Sequence, residues 1–126
     1  MIIKKMNAQD IREVKALIDS RFPININMNA LHDTLNSNEK FTFVGILNNE
    51  IIVTVGIRDN NRLCWIASKY TRRGHARVIL SHILSSMPYA CLKVKKNNVP
   101  ALNLYKSLGF LLTSETESSY VMEYRK

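Results

Sequence analysis

The sequence predicts an α/β domain of the α+β class over residues 1–126, with about seven strands and about four helices. Its length of 126 residues suits a single domain, and its apolar fraction of 46% suits a buried core. Strand and helix patterns follow one another in the order β, α, α, β, β, β, α, β, α, β, β. Two of the predicted strand pairs are hairpins, so we expect a mostly antiparallel sheet.

The amino-terminal segment predicts one strand and two helices. Residues 2–6 form a short strand candidate, and Asn7 is suited to cap the helix that follows. The chain then breaks a helical pattern at Pro23, and residues 30–38 predict a second, shorter helix. The first helix covers 8–21, with apolar side chains at helical spacing at Ile11, Val14, Leu17, Ile18 and Phe22.

The middle of the chain predicts three strands and an amphipathic helix. Residues 41–47 and 51–58 are rich in β-branched and aromatic side chains and flank "NNE", which suits a tight hairpin turn. After "DNNR", a third strand covers 63–68. A helix then begins at 73–75 and ends before Pro88. Its apolar face consists of Ala76, Ile79, Leu80, Ile83, Leu84 and Met87.

The carboxy-terminal segment predicts a strand over 90–94, one helix and a closing hairpin. Pro100 suits the first turn of the helix, and Gly109 suits the position just beyond its end. Residues 110–113 and 120–124 complete the sheet. One face of this helix carries Ala101, Leu104, Tyr105 and Leu108.

Positive charge is concentrated in the middle of the sequence. The formal net charge is +8, and the window 60–114 contains basic residues but no Asp or Glu. Such a window is typical of a surface that binds an anion, although a solvated basic face without a ligand has the same composition. The basic residues of the window are Arg62, Lys69, Arg72, Arg73, Arg77, Lys93, Lys95, Lys96 and Lys106.

The segment 70–80, "YTRRGHARVIL", places a glycine directly before the amphipathic helix. A helix start points free backbone N–H groups and a partial positive charge at one spot, and glycine allows a close backbone approach. Ala76 keeps the first turn slim, and three arginines can pair with phosphate. The segment therefore predicts either a cofactor phosphate site or a nucleic-acid contact.

Two blocks of the chain resemble the GNAT superfamily of acetyl-CoA-dependent acetyltransferases. The segment "IASKYTRRGHA" is similar to the family's pyrophosphate loop, Q/R-x-x-G-x-G/A, at Gly74 and Ala76, with Thr71 where Gln or Arg is usual. The segment "VKKNNVPALNLYKSLGF" fits the family pattern V-x-x-x-N-x-x-A-x-x-L-Y-x-x-x-G-F without a gap. The matching positions of this second block are Val94, Asn98, Ala101, Leu104, Tyr105, Gly109 and Phe110.

The resemblance implies a three-layer fold whose mixed, strongly twisted sheet is splayed between the strands at 63–68 and 90–94. It implies that acetyl-CoA lies in the splay as cosubstrate and that no metal takes part. Pantetheine would pair with the backbone of Ile66 and Ala67, and the pyrophosphate would lie on the amides of 72–77. The implied cofactor-binding residues are Ile66, Ala67, Ser68, Arg72, Arg73, Gly74, His75, Ala76, Arg77, Asn98, Ala101 and Tyr105.

Tyr105 is the catalytic residue that the resemblance implies, as a donor to the sulfur of the leaving thiolate. Without the motif, Tyr105 is interpreted as a core aromatic on a helix face. A strand amide near Ile66 or Ala67 would bind the oxyanion. The general base stays open, with the candidates His32, Asp33, Glu39, Asp59, Glu115 and Glu117.

The resemblance implies transfer of an acetyl group from acetyl-CoA to a primary amine by direct attack in a ternary complex. The acceptor is a small molecule, a protein amine or an aminoacyl group, and the resemblance places the acceptor loops at 22–40 and 113–119. The alternatives are a basic nucleic-acid-binding module and a non-catalytic acyl-CoA-binding relative. Nucleic acid stays a less favoured partner through the basic face.

We expect a cytoplasmic monomer or homodimer without a membrane partner, because no apolar run has the length of a transmembrane helix and no signal-peptide pattern is present. Cys64 and Cys91 lie in apolar strand runs, so we expect both thiols in the core.

Overall fold

The computed structural model describes residues 1–22, 28–35, 37 and 40–126. Within these residues the predicted order of elements is confirmed. The strands are β1 (Ile2–Lys5), β2 (Phe41–Leu47), β3 (Glu50–Arg58), β4 (Arg62–Ser68), β5 (Tyr89–Lys95), β6 (Leu111–Glu115) and β7 (Ser119–Arg125). The α-helices are α1 (Ile11–Arg21), α2 (Met28–Asp33), α3 (His75–Leu84) and α4 (Val99–Ser107). Short 3-10 turns, Ala8–Asp10 and Asp59–Asn61, precede α1 and β4.

The strands form one seven-stranded sheet in the order β1-β2-β3-β4-β5-β7-β6. Neighbouring strands are antiparallel except β4 and β5, which are parallel. The mixed, mostly antiparallel sheet is therefore confirmed. In the described residues, β4 and β5 pair at one position only, Arg62 with Cys91. From that point the two strands separate toward Ser68 and Lys95, which is the implied splay.

The first helix begins with a capping box. Asn7 Oδ1 accepts a hydrogen bond from the Gln9 amide at 3.0 Å, and the Asp10 carboxylate accepts one from the Asn7 amide at 3.0 Å. The predicted range 8–21 is therefore helical throughout, as a 3-10 turn followed by α1.

The turn between β2 and β3 follows from its sequence. Asn48 and Asn49 have φ angles of 52° and 63°, the left-handed values that a two-residue hairpin turn of this kind requires. Asparagine tolerates this region better than most side chains. The predicted hairpin is confirmed, and β3 begins slightly earlier than predicted, at Glu50.

Helices cover the sheet on both faces, which confirms the three-layer architecture. On one face α3 and α4 pack in the larger core cluster, which includes Leu80. On the other face α1 and α2 pack in a second cluster, which includes Leu31. Along β5 the buried residues of the larger cluster alternate with Cys91, Lys93 and Lys95, which point to the second face and are exposed or half-buried.

Several details differ from the sequence-based expectations. The second helix, predicted over 30–38, spans Met28–Asp33, and residues 36, 38 and 39 lie outside the described residues. The third helix ends at Leu84, although Met87 is still buried. The expectation that both cysteines are core thiols is wrong, because strand alternation directs them away from the larger core. Cys64 and Cys91 are free and only partly buried.

Across the described ranges, no helix is both long enough and apolar enough to cross a membrane.

Candidate active site

β4 contains a β-bulge near the point where the sheet opens. Gly56 of β3 pairs with Cys64. The next pair is Thr54 with Ala67, so two residues of β4 lie opposite one residue of β3. Trp65 has a φ angle of 49°, and its carbonyl accepts a hydrogen bond from Thr54 Oγ1 at 2.9 Å. The bulge therefore turns the backbone of β4 where it borders the splay.

The sequence contains a signal for this bulge that the pattern analysis missed. Gly56 interrupts an otherwise apolar and β-branched strand. A Cβ atom at Gly56 would lie 2.9 Å from Cys64 Sγ and 2.9 Å from Trp65 Cε3. Glycine in a strand marks a bulge or a close approach, and here it is both.

The strands β4 and β5 leave an open slot between them. Beyond the pair of Arg62 with Cys91, no pair joins these strands in the part of the chain that the structure describes. The backbone groups of β4 that face β5, around Ile66 and Ala67, therefore have no strand partner. Such an edge can hydrogen-bond to an extended chain that contains amides.

The loop after β4 ends in a glycine with a left-handed backbone. Gly74 has a φ angle of 77° and is the N-cap of α3. The first helical bond runs from the Val78 amide to the Gly74 carbonyl at 3.1 Å, so the amides of 75–77 have no partner within the helix. Apart from Gly74 and its two chain neighbours, no heavy atom of the described residues lies within 4 Å of a Cβ placed at Gly74, so the space beside this helix start is open. The predicted helix start is confirmed, with the geometry of an anion-binding helix terminus.

Side chains from other elements hold the start of this loop. Arg21, the last residue of α1, donates from Nε to the Ser68 carbonyl at 2.8 Å and from Nη2 to the Lys69 carbonyl at 2.6 Å. Glu50 accepts a hydrogen bond from the Tyr70 hydroxyl at 2.7 Å and lies 3.3 Å from Lys69 Nζ. The Tyr70 hydrogen bond is the main cause of a lowered pKa at Glu50, followed by Lys69. Because these contacts join residues that are distant in sequence, local patterns did not reveal them.

The three arginines near the helix start have different surroundings. Arg72 is exposed. The Arg73 guanidinium lies 5.0 Å from the centre of the Tyr70 ring, in a cation–π contact. Arg77 Nη2 donates to Ser107 Oγ of α4 at 2.6 Å, so this side chain bridges α3 and α4. Arg72 and Arg73 thus border the helix start, while Arg77 has a partner within the fold.

His75 Nδ1 is an unusual atom in this site. Among the described residues it is the only side-chain nitrogen or oxygen that is fully buried without a hydrogen-bond partner. Buried polar groups in native proteins are normally hydrogen-bonded, so an orphan at the first residue of α3 fits a site that a polar ligand completes.

Tyr105 is both a packing residue and an accessible donor. The residue is 7% exposed and belongs to the larger core cluster, and its ring lies 5.9 Å from the Phe110 ring, measured between centroids. Its hydroxyl has no partner in the described residues and is not fully buried, since His75 Nδ1 is the only group of that kind. Burial raises the pKa of Tyr105 to about 12. The ring therefore packs in the core, as the core-aromatic interpretation predicts, while the hydroxyl is left without a partner in the described residues.

Asn98 and Ala101 form the amino-terminal cap of α4. Asn98 Oδ1 accepts a hydrogen bond from the Ala101 amide at 3.3 Å, and Pro100 lies in the first turn as predicted. Gly109 follows the helix with a φ angle of 103°, as predicted for the residue beyond its end. Asn98 therefore has a structural role in addition to the contact that the resemblance implies.

The candidate general bases lie on the surface. Glu39 lies outside the described residues, and Glu115 is engaged with Lys96, whose Nζ lies 2.5 Å from Glu115 Oε2. No Asp, Glu or His in the described ranges is fully buried, so solvent reaches each of these side chains. The described candidates are all exposed, at His32, Asp33, Asp59, Glu115 and Glu117.

Two further expectations concern loops and metals. Of the expected acceptor loops, 113–119 contains the exposed turn between β6 and β7, whereas 22–40 is described only at residues 22, 28–35, 37 and 40. The described part of the chain contains no group of three or more His, Cys, Asp or Glu side chains that could hold a metal ion.

Comparison with known proteins gives a consistent result. Residues 11–110 match the model of the acetyltransferase (GNAT) family. No curated protein matches the chain.

Three solved structures illustrate the likeness of fold. The ribosomal-protein-S18-alanine N-acetyltransferase from Escherichia coli has a TM-score of 0.86 and 17% identity, covering 98% of this chain and 92% of its own. NAA60 from Arabidopsis thaliana, in complex with a bisubstrate analogue, has a TM-score of 0.81 and 17% identity, covering 98% and 97%. A mutant of the spermidine N-acetyltransferase SpeG from Vibrio cholerae has a TM-score of 0.82 and 17% identity, covering 99% and 95%.

Proposed function

Because residues 11–110 match its family model, the chain belongs to the acetyltransferase (GNAT) family, and we propose that it transfers an acetyl group from acetyl-CoA to a primary amine by direct attack in a ternary complex. The observation that carries this proposal is the helix start of α3, which follows directly on the carboxyl end of β4 where the slot between β4 and β5 is open. A phosphate-binding terminus beside an unpaired strand edge suits a cosubstrate with a pyrophosphate and an amide-containing arm.

We propose the cofactor contacts that the family resemblance implies, with support from the described residues. The free amides of 75–77 hold the pyrophosphate, with Arg72 and Arg73 at its rim. Bound acetyl-CoA supplies an acetyl group activated as a thioester. The unpaired edge of β4 at Ile66, Ala67 and Ser68 binds the pantetheine. On the α3 and α4 side, the contacts come from Gly74, His75, Ala76, Arg77, Asn98, Ala101 and Tyr105.

Tyr105 donates a hydrogen bond to the sulfur as negative charge develops there. With a phenol pKa of about 12 and a thiol pKa near 8.5, complete proton transfer from Tyr105 costs about 5 kcal/mol. The hydroxyl therefore stabilises the thiolate by hydrogen bonding while it keeps its proton. A backbone amide near Ile66 or Ala67, beside the bulge, is the donor for the oxyanion.

The acceptor amine attacks in its neutral form, and the protein supplies little help for its deprotonation. At pH 7 an α-amine with a pKa near 8 is neutral in about one molecule in ten, but a lysine amine is neutral in about one in 2,500. None of the described candidate bases is buried, and we propose that water relays the amine proton. These surroundings favour an acceptor amine of low pKa.

A matched pair of variants at Gly74 tests the phosphate site. The left-handed φ of 77° is tolerated by Asn and Asp, which have nearly the same shape but differ in charge. We expect Gly74→Asp to weaken acetyl-CoA binding at least tenfold more than Gly74→Asn in calorimetry, because only Asp places a negative charge where phosphate lies. Equal affinities for the two variants would show that no phosphate binds at this helix start.

A further inference from the structure

A cavity of about 310 Å³ lies where β4 and β5 part. Its lining residues are Arg62, Cys91, Leu92, Lys93 and Val121. Arg62 and Cys91 form the one pair that joins the two strands in the described residues. Val121 of β7 pairs with Lys93. Strand alternation directs Cys91 and Lys93 away from the face that α3 and α4 cover. The cavity therefore opens across the sheet from the proposed cofactor side.

Two cations at this cavity have no acidic partner. Arg62 and Lys93 are both exposed, and neither lies within 4 Å of a carboxylate in the described residues. A third cation is near, because Arg58 of β3 pairs directly with Arg62 of β4. Arg58 and Arg62 both act on the pKa of Cys64, which places the two charges close to the same sulfur.

One carboxylate lies next to the cavity, but it already accepts a hydrogen bond from another side chain. Glu123 pairs with Cys91 across β5 and β7. Its Oε1 accepts a hydrogen bond from the Tyr89 hydroxyl at 2.5 Å, and that bond is the main cause of a lowered pKa at Glu123. The Arg125 guanidinium in turn lies 4.8 Å from the centre of the Tyr89 ring. Glu123 is thus held in a separate cluster and does not neutralise Arg62 or Lys93.

We propose that this cavity binds an anionic group, a carboxylate or a phosphate, that belongs to the acceptor and lies next to its reactive amine. The inference rests on the proposed function, because acetyl transfer requires the amine to reach the slot between β4 and β5. The cavity lies at the closed end of that slot, on the face opposite α3 and α4. Two unpaired cations there select an acceptor that carries a negative charge beside the amine.

Dipeptide amides with one shared amine provide the test. Alanyl-aspartate amide is compared with alanyl-asparagine amide, and alanyl-phosphoserine amide with alanyl-serine amide, by thiol release at saturating acetyl-CoA. We expect at least one anionic dipeptide to exceed its neutral counterpart in kcat/KM by roughly 10- to 100-fold, as for a charge-assisted hydrogen bond. The two pairs distinguish a carboxylate from a phosphate as the bound group.

Two variants and one control assign the preference to the cavity. Arg62→Gln and Lys93→Gln should each reduce the ratio of anionic to neutral kcat/KM toward one. Lys95→Gln is the matched control, because Lys95 is an exposed lysine on the same face of β5 that does not line the cavity. A ratio near one in the unaltered protein, or a ratio that Arg62→Gln and Lys93→Gln leave unchanged, overturns the proposal.

A binding measurement separates this inference from the proposed function. Trp65 is the only tryptophan of the chain and lies on β4, the strand that contributes Arg62 to the cavity. We expect the anionic dipeptides to change Trp65 fluorescence at concentrations at least tenfold lower than the neutral ones do, with or without turnover. Fluorescence binding without any acetyl transfer would refute the proposed function alone, whereas transfer without a charge preference would refute the anion site alone.

Discussion

At the scale of single residues, Tyr105 combines a packing role for its ring with a proposed chemical role for its hydroxyl. The ring belongs to the core, and the hydroxyl has no partner in the described residues. The phenylalanine variant removes only the hydroxyl. We expect Tyr105→Phe to keep the fold and the acetyl-CoA affinity while kcat falls roughly 10- to 1,000-fold, the range of donor effects in transition states. Single-turnover thiol release, calorimetry and a melting curve measure these three quantities.

Tyr124→Phe is the control for this variant, because Tyr124 is a second tyrosine in the same aromatic cluster, with its ring centroid 5.7 Å from that of Phe110. A wild-type kcat in Tyr105→Phe would show that Tyr105 is a core aromatic without a chemical role.

The raised pKa of Tyr105 gives this residue a specific pH dependence. Its pKa of about 12 lies above the ordinary value of 10, so the folded state holds the proton more tightly than the unfolded state. The resulting stabilisation is complete below pH 10 and is lost as the pH rises toward 12. We therefore expect kcat/KM to rise above pH 7 as the amine loses its proton and then to level off, without a falling limb up to pH 10. A falling limb near pH 9 that Tyr105→Phe abolishes would contradict a buried, high-pKa phenol.

Other residues of the site were predictable only in part, and the reason is the range of the contacts. The sequence identified Gly74 because a glycine before an amphipathic helix is a local pattern. It did not identify Arg21, whose two hydrogen bonds reach the Ser68 and Lys69 carbonyls across the fold. The cofactor contact of Arg77 stays a prediction, and the hydrogen bond that this side chain donates to Ser107 of the neighbouring helix was likewise not foreseen.

At the scale of elements, sequence patterns predicted each strand and α-helix in the described residues, but not the 3-10 turn at Asp59–Asn61 or the register in which the strands pair. The hairpin of β2 and β3 followed from "NNE", because the turn chemistry is local. The bulge of β4 depends on Gly56 in the adjacent strand, and a bulge shifts the register without changing the apolar pattern of either strand. The splay was implied by family resemblance, since no periodicity shows where a strand loses its neighbour.

Alanine substitutions at two strand glycines separate the bulge from general packing. A Cβ at Gly56 would lie 2.9 Å from Trp65 Cε3 and 3.2 Å from the Cys64 carbonyl, within the bulge. A Cβ at Gly45 of β2 would lie 2.6 Å from Val53 Cγ1, away from the slot. We expect each variant to lower the free energy of unfolding by about 1–3 kcal/mol in urea, as overpacking does.

Only Gly56→Ala should also lower kcat, because it displaces the backbone proposed to bind the oxyanion. If Gly45→Ala and Gly56→Ala lose kcat equally when measured on fully folded protein, the bulge has no special role in the site.

At the scale of the whole molecule, the basic window of the sequence divides into separate groups. Arg72 and Arg73 border the start of α3, whereas Arg62 and Lys93 line a cavity on the opposite face of the sheet. Other cations are neutralised within the fold, since Lys96 lies 2.5 Å from a Glu115 oxygen. A continuous basic stripe is the usual footprint of duplex binding, and a division between two faces favours two smaller anionic ligands instead.

Ligand linkage distinguishes these two uses of the charge in one experiment. A ligand at 100 times its Kd stabilises the folded state by about 2.7 kcal/mol, which for a domain of this size corresponds to a rise in Tm of roughly 10 °C. We expect acetyl-CoA to produce such a rise.

Duplex DNA should bind weakly and lose its affinity steeply as salt increases, because only a few cationic side chains lie on the same face of the sheet. Gly74→Asp should reduce the acetyl-CoA shift by about half or more and leave the weak DNA binding nearly unchanged. Tight DNA binding at physiological salt, together with no thermal response to acetyl-CoA, would instead assign the basic groups to nucleic acid.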